Sequence, residues 1–345
     1  MFNRFASALS ATILLASAAH AGDITGAGAT FPAPVYAKWA EAYKNATHNG
    51  VNYQAIGSGG GIKQIKAKTV DFGGTDKPLK PADLAASGLY QFPTVVGGVA
   101  PIVNIPGLQA GQLHLTGGLL ADIYMGQVRN WSDPRIAAFN KGMTLPNLPI
   151  TVVHRSDGSG TSFLFTSYLT MVHPVWASKV GASDAVSWPA GIGGKGNDGV
   201  SALVKQTRGS IGYVEYAYAK QNHETTTVMQ NKMGKFVAPT AANFAAAAAG
   251  AKWEAAPGNY LLLLNQPGAN AWPITGATFV LVYKEQANAA KGADVLKFFD
   301  SAYKSGDAAA VALDYVPLPA GVKAMMRKQW AANVHSGGKP VYVSK

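Results

Sequence analysis

No cysteine occurs anywhere in the 345 residues. Its absence removes disulfides, thiolate metal sites and cysteine nucleophiles together, and leaves the fold to rely on packing. Long apolar runs are missing too. Past the N-terminus, no continuous apolar run reaches the ~20 residues that a membrane-spanning helix needs. Acids are scarce, with 18 Asp and Glu against 29 Lys and Arg for a net charge of +11. A balance of this sign suits an anionic partner, whether nucleic acid, a membrane surface or a small ligand. The lysines are scattered apart from Lys63, Lys66 and Lys68, and no aromatic residues alternate with them as a single-strand stacking platform requires. No nucleic-acid partner is expected, and a general pull on small anions fits better. The histidines show no H-x-x-x-H or similar pairing, so no metal site is expected either.

What is present begins with "MFNRFASALSATILLASAAHAGD". Arg4 supplies a positive n-region, Ala6 to Ala19 an uncharged h-region, and Ala19-His20-Ala21 a small-x-small cleavage site. Residues 1–21 read as a secretory signal cut after Ala21, so the mature protein is expected to be soluble and exported. What remains is longer than one hydrophobic core usually holds, and two lobes are the default.

Glycine turns and apolar periodicity then divide the chain. "DITGAGATF" predicts a strand entering a turn, and Val35, Tyr36, Trp39, Ala40 and Tyr43 fall at helical spacing after it. "VNYQAI" alternates as a half-buried strand does, "GSGGG" leads into a short helix through Ile62 and Ile65, and "VDFGG" is a third strand. This β-α-β-α-β order implies parallel strands, whose ligands sit beyond the carboxyl ends. Polar clusters lie at each such place: Thr30-Phe31, Gly57-Ser58 and Thr75-Asp76. "ITVVHR" is a fourth strand, with a fourth polar loop behind it. Two apolar segments, near 97–107 and 276–284, read as crossings between lobes. Lobe 1 would then hold residues 22–100 and 280–345, and lobe 2 residues 101–279. "AANFAAAAAGA", Ala241 to Ala251, reads as a solvent-side helix.

The fourth loop, in "VVHRSDGSGTSFLF" from Val152 to Phe165, admits two readings. His154, Asp157 and Ser159 crowd together as in a serine hydrolase, but a triad needs base and acid held at hydrogen-bond distance, normally by separate loops. Alternation sends His154 and Arg155 to opposite faces, and no G-x-S-x-G elbow is present. The alternative is an anion pocket. A helix N-terminus offers unpaired N–H groups, glycine permits close approach, Ser159 and Thr161 add hydroxyls, and Arg155 adds a planar fork that Asp157 could hold still. Gly191-x-Gly193-x-x-Gly196 formally matches a dinucleotide fingerprint but follows Pro189 rather than a strand, and "GGKGND" lacks the Ser or Thr of a Walker A loop. Both belong to a tight turn leading into a helix.

Seven stretches in order, "GAGATFPAPVYAKW", "YQAIGSGGGIKQI", "DFGGTDKPL", "RSDGSGTSF", "GGKGNDG", "GSIGYVEYAYA" and "AWPITGATFVLV", resemble the periplasmic phosphate-binding proteins of high-affinity phosphate ABC importers. The resemblance runs from about Asp23 to the C-terminus. It implies an α/β, two-lobed type II periplasmic binding-protein fold whose lobes close over one dehydrated phosphate in the cleft between them. It implies delivery of that phosphate to the transmembrane permease subunits by a periplasmic monomer with no cofactor and no catalytic residue. By motif match, Thr30 and Phe31 fall on the first phosphate loop, Ser58 on the second and Asp76 on the third. Arg155, Ser159, Gly160 and Thr161 fall on the fourth, with Asp157 as the partner of the arginine. Gly59 departs from the pattern, which commonly has a second serine there. Two other functions stay open beside this one. A receptor for sulfate or molybdate is disfavoured by Asp76, since those anions carry no proton to offer a carboxylate. A secreted phosphomonoesterase or serine hydrolase would need a base beside its nucleophile.

Overall fold

Three short parallel strands form the part of the molecule nearest the N-terminus, β1 (Ile24–Gly28), β2 (Val51–Ala55) and β3 (Phe72–Thr75). β1 lies between the other two, with Ile24 opposite Val51 and Gly26 opposite Phe72. The structure, a computed structural model, describes residues 23–344, so the expected signal peptide lies outside the described residues. Helix α1 (Ala33–Thr47) follows β1 and buries Val35, Tyr36, Trp39 and Tyr43, the stripe that the helical spacing predicts. Helix α2 (Ser58–Lys66) follows β2 and buries Ile65. Each strand therefore ends where a loop turns into a helix or toward one.

One long strand joins this region to the rest. β4 (Leu89–Val103) is buried along all fifteen residues. The order of the main path through the sheet is completed by β5 (Thr151–Arg155), β6 (Ile192–Gly194), β7 (Ser210–Glu215) and β8 (Thr275–Tyr283), giving β2-β1-β3-β8-β4-β7-β5-β6. β4 pairs antiparallel with β8 from Leu89 to Gly98 and then, from Val99 to Val103, with β7. The partner changes at one peptide, between Gly98 and Val99, so β4 joins the two halves of the sheet. Pro93 sits in β4 without breaking it because the register shifts there: Pro93 faces Phe279 and Val95 faces Thr278, leaving Thr94 as a bulge. A bulge is a place where a strand tolerates a residue with no N–H to give.

With no disulfide available, aromatic packing holds the lobes. Phe299 of the helix Ala289–Ser305 meets Tyr36, Phe72 and Phe92 edge-on at 5.7, 5.3 and 5.5 Å, and Phe92 meets Trp330 at 5.1 Å. Burying one such side chain stabilises by roughly 1.5–3 kcal/mol. In the second lobe, β7 runs parallel to β5, and β5 parallel to β6. Their helices are α3 (Gly160–Val172) and α4 (Gly196–Gln206). The glycines of the formal dinucleotide pattern fall in and around β6 and at the first residue of α4, with Lys195 as the turn between them. The alanine-rich segment differs from expectation. It is helical over Ala241–Ala248, but Phe244 and Ala247 are buried and Phe244 packs edge-on against Tyr216 at 5.5 Å. A single phenylalanine turns one face of an otherwise featureless helix inward.

Candidate anion-binding site

Arg155 is the last residue of β5, and the strand pleat gives it and His154 opposite surroundings. His154 stacks on Trp188 at 4.8 Å, and its Nδ1 lies 3.1 Å from the Arg155 carbonyl oxygen. The Arg155 side chain is 1% exposed and held as a fork: Nε donates to Asp157 Oδ1 at 2.7 Å, Nη2 to Asp157 Oδ2 at 2.5 Å, and Nη1 to Thr161 Oγ1 at 3.4 Å. Burial pushes the Asp157 carboxyl up, but the guanidinium and the Gly196 amide, 3.0 Å from Oδ1, outweigh it and hold it below the usual carboxylate range. The pair fixes the fork and cancels its charge, leaving Nη1 as the group aimed elsewhere.

Ser159 caps α3, its Oγ accepting from the amide of Ser162 at 3.0 Å. A hydroxyl that accepts a hydrogen bond still has its own proton to donate. The same holds at three more positions. Ser58 Oγ, fully buried at the start of α2, accepts from the amides of Asp76 at 3.2 Å and Gly160 at 3.0 Å, which uses both lone pairs. Thr30 Oγ1 accepts from Asn197 Nδ2 at 2.9 Å, and Thr161 Oγ1 accepts from Arg155. Four buried hydroxyls are thus left as donors, and the N-termini of α1 to α4 lie with them at the strand ends, each adding partial positive charge.

Asp76 is the exception. It is 1% exposed, and among the described residues neither carboxylate oxygen has a hydrogen-bond partner. Burial lifts its pKa to about 7, while Thr278, Arg155 and Ser58 nearby draw it back only in part. Gly160 comes so close that a Cβ there would strike both Ser58 Oγ and the Asp76 carboxylate. An unpaired buried carboxylate is costly. Set among donors, it makes the site a ring of donors with one acceptor, which matches an oxyanion that still carries a proton.

Phe31 lies fully buried on the first loop, its carbonyl accepting from Tyr315 OH at 2.6 Å, while Tyr218 OH donates to the Thr30 carbonyl at 2.6 Å. Two members of the cluster could not be read as such in the sequence. Asn197 and Gly196 of the first turn of α4 reach across to Thr30 and Asp157. The only local signal was a glycine-rich turn opening a helix, the same kind of place as the other four loops.

Residues 16–302 match the family model described as the PBP superfamily domain. The Phosphate-binding protein PstS of Pasteurella multocida (strain Pm70) is 52% identical over 323 residues, covering 93% of this chain and 94% of that one. The protein of the same name from Haemophilus influenzae is 51% identical over 312 residues, covering 90% and 93%. A solved structure of a high affinity periplasmic phosphate-binding protein bound with phosphate is 25% identical, superposes with a TM-score of 0.70, and covers 92% of this chain and 96% of that one.

Proposed function

The chain belongs to the PBP superfamily and, within it, to the phosphate-binding PstS proteins, and from that membership we propose how it holds its anion. Its architecture is the α/β, two-lobed type II periplasmic binding-protein fold with the ligand cleft between the lobes. It binds inorganic phosphate for uptake by an ABC transporter.

We assign the phosphate to the donors of Thr30, Phe31, Ser58, Arg155, Ser159 and Thr161 and to the acceptor Asp76, with Asp157 holding the arginine and Gly160, whose amide donates to Ser58, as the point of close backbone approach. The observation that carries this assignment is the unpaired Asp76 carboxylate among hydroxyls that have only protons left to offer. Near neutral pH, phosphate keeps at least one proton and can share it with Asp76. Sulfate keeps none and would press lone pairs against the same carboxylate, so one contact supplies the discrimination. Sites built on such a polar match reject a mismatched analogue by ~10⁴-fold or more.

We assign lobe 1 to residues 22–100 and 280–345 and lobe 2 to 101–279, the protein acting as a periplasmic monomer once a leader is cut after Ala21. The lobes close on phosphate and present it to the permease subunits, with no catalytic step. Support for the last point lies in Ser159, whose hydroxyl caps a helix, and in His154, whose ring lies against Trp188. Calorimetric titration of phosphate and of sulfate into wild type and Asp76→Asn tests the assignment. Phosphate should bind both, with sulfate strongly rejected by the wild type and much less by the variant. An unaltered phosphate-to-sulfate ratio in the variant removes Asp76 from the site.

A further inference from the structure

We propose that Lys77 and Asp184 form a latch across the mouth of the cleft that sets how long the closed protein holds its anion, an inference that rests on the phosphate-binding reading. Lys77 Nζ lies 2.6 Å from Asp184 Oδ1, joining residues 107 apart in sequence that the lobe assignment above puts on opposite sides of the cleft. Neither end floats. The Lys77 backbone is clamped by Thr75, whose Oγ1 accepts from the Lys77 amide at 3.0 Å and donates to its carbonyl at 2.8 Å. This loop also carries Asp76. On the other side, the Asp184 carbonyl accepts from the Ser159 amide at 2.9 Å, and Ser183 beside it exchanges hydrogen bonds with Thr166 of α3. The Lys77 charge therefore rides on the loop of Asp76, and the Asp184 charge on a segment bonded to the loop of Ser159, so opening the cleft between those loops must separate them.

The surroundings keep the pair in register. Ser183 Oγ donates to Asp184 Oδ1 at 3.2 Å, and the ammonium lies 5.9 Å from the centroid of the Phe163 ring, also on α3. Close by, the Gly59 amide donates to the Gly158 carbonyl at 2.8 Å. A Cβ at Gly59 would lie 3.0 Å from Gly158 Cα and 3.4 Å from Asp184 Oδ2. The backbones approach closely at this point, with Asp184 beside the second loop and within reach of Lys77. The side chains are 36% and 19% exposed, so the pair belongs to the rim rather than to the buried ligand shell. An interaction present only in the closed form shifts population toward it and retards opening. Partly exposed ion pairs are worth ~0.2–1 kcal/mol, which corresponds to an effect of roughly 1.5- to fivefold.

Release of radiolabelled inorganic phosphate into excess unlabelled phosphate, followed by rapid mixing, tests the latch in wild type, Lys77→Ala, Asp184→Asn and the double variant. Each single variant should release about two- to fivefold faster, and the double variant no faster than either, because both lose the same contact. Added salt should speed release from wild type and leave the variants nearly unaffected. Wild-type release rates in both single variants, or an additive double variant, would overturn the proposal. A change confined to association, slower for Lys77→Ala and faster for Asp184→Asn, would do the same and make Lys77 a steering charge instead. Failure of the wild type to retain phosphate at all would remove the functional reading and the latch with it.

Discussion

The amide of Gly160 donates to the hydroxyl of Ser58 at 3.0 Å, across 102 residues of sequence. Ser58 opens α2 and Gly160 opens α3, so one hydrogen bond ties together two helix N-termini. Because that hydroxyl also accepts from Asp76, a single oxygen gathers three of the four loops. On the lobe assignment proposed above, opening the cleft would break this contact.

Gly160→Ala should therefore disable closure while sparing the fold. Its Cβ would collide with Ser58 Oγ and Asp76 in the closed form, and overpacking of this kind costs ~1–3 kcal/mol, or roughly five- to 150-fold in affinity. Alanine is the better helix former, so unfolding in phosphate-free buffer should occur at the wild-type temperature or above it. Thermal scans with and without phosphate check both halves. A full phosphate-induced stabilisation in the variant would mean that the two N-termini need not meet.

Arg155→Ala should weaken phosphate binding by ~2–5 kcal/mol, since truncating one member of a buried charge pair also strands the other. Here the stranded group is Asp157, left with the Gly196 amide as its remaining partner from the α4 turn. Arg155→Lys should recover part of the loss, because lysine restores the charge but not the fork that meets both Asp157 oxygens. Calorimetry measures both variants, and a loss of less than about threefold for the alanine variant excludes the arginine as a ligand.

Burial lifts the Asp76 pKa from 3.8 to about 7. A raised folded-state pKa means that, between those two values, the folded protein keeps a proton that the unfolded chain has released. This group's contribution to stability is therefore complete below about pH 4 and is lost as the pH rises through 7. In phosphate-free buffer, Asp76→Asn should gain on wild type by up to roughly 2–3 kcal/mol between pH 5 and pH 8, the full amount applying where the empty cleft keeps the carboxylate buried. Denaturant titrations at the two pH values give the difference, and parallel pH slopes would show that Asp76 is not perturbed.

The local periodicities predict the strand and helix order around the site and the opposite facing of His154 and Arg155. They do so because each depends on a repeat of two or 3.6 residues and on glycine turns within a few positions. The family resemblance, resting on seven ordered stretches, pointed to the anion and to the residues of four loops. Local patterns alone left a hydrolase possible at Ser159. Here the tertiary structure speaks to a different kind of question, namely which groups satisfy one another. That Ser58 has no lone pair to spare, that Asp76 has no partner, and that Asn197 reaches Thr30 across 167 residues are properties of the closed packing. The inward turn of Phe244 and the meeting of Lys77 with Asp184 are of the same kind. Periodicity reports which side of an element is buried, whereas hydrogen-bond satisfaction depends on what the other lobe brings to within 3 Å. Such partners lie a hundred or more residues away, and only the folded chain chooses them.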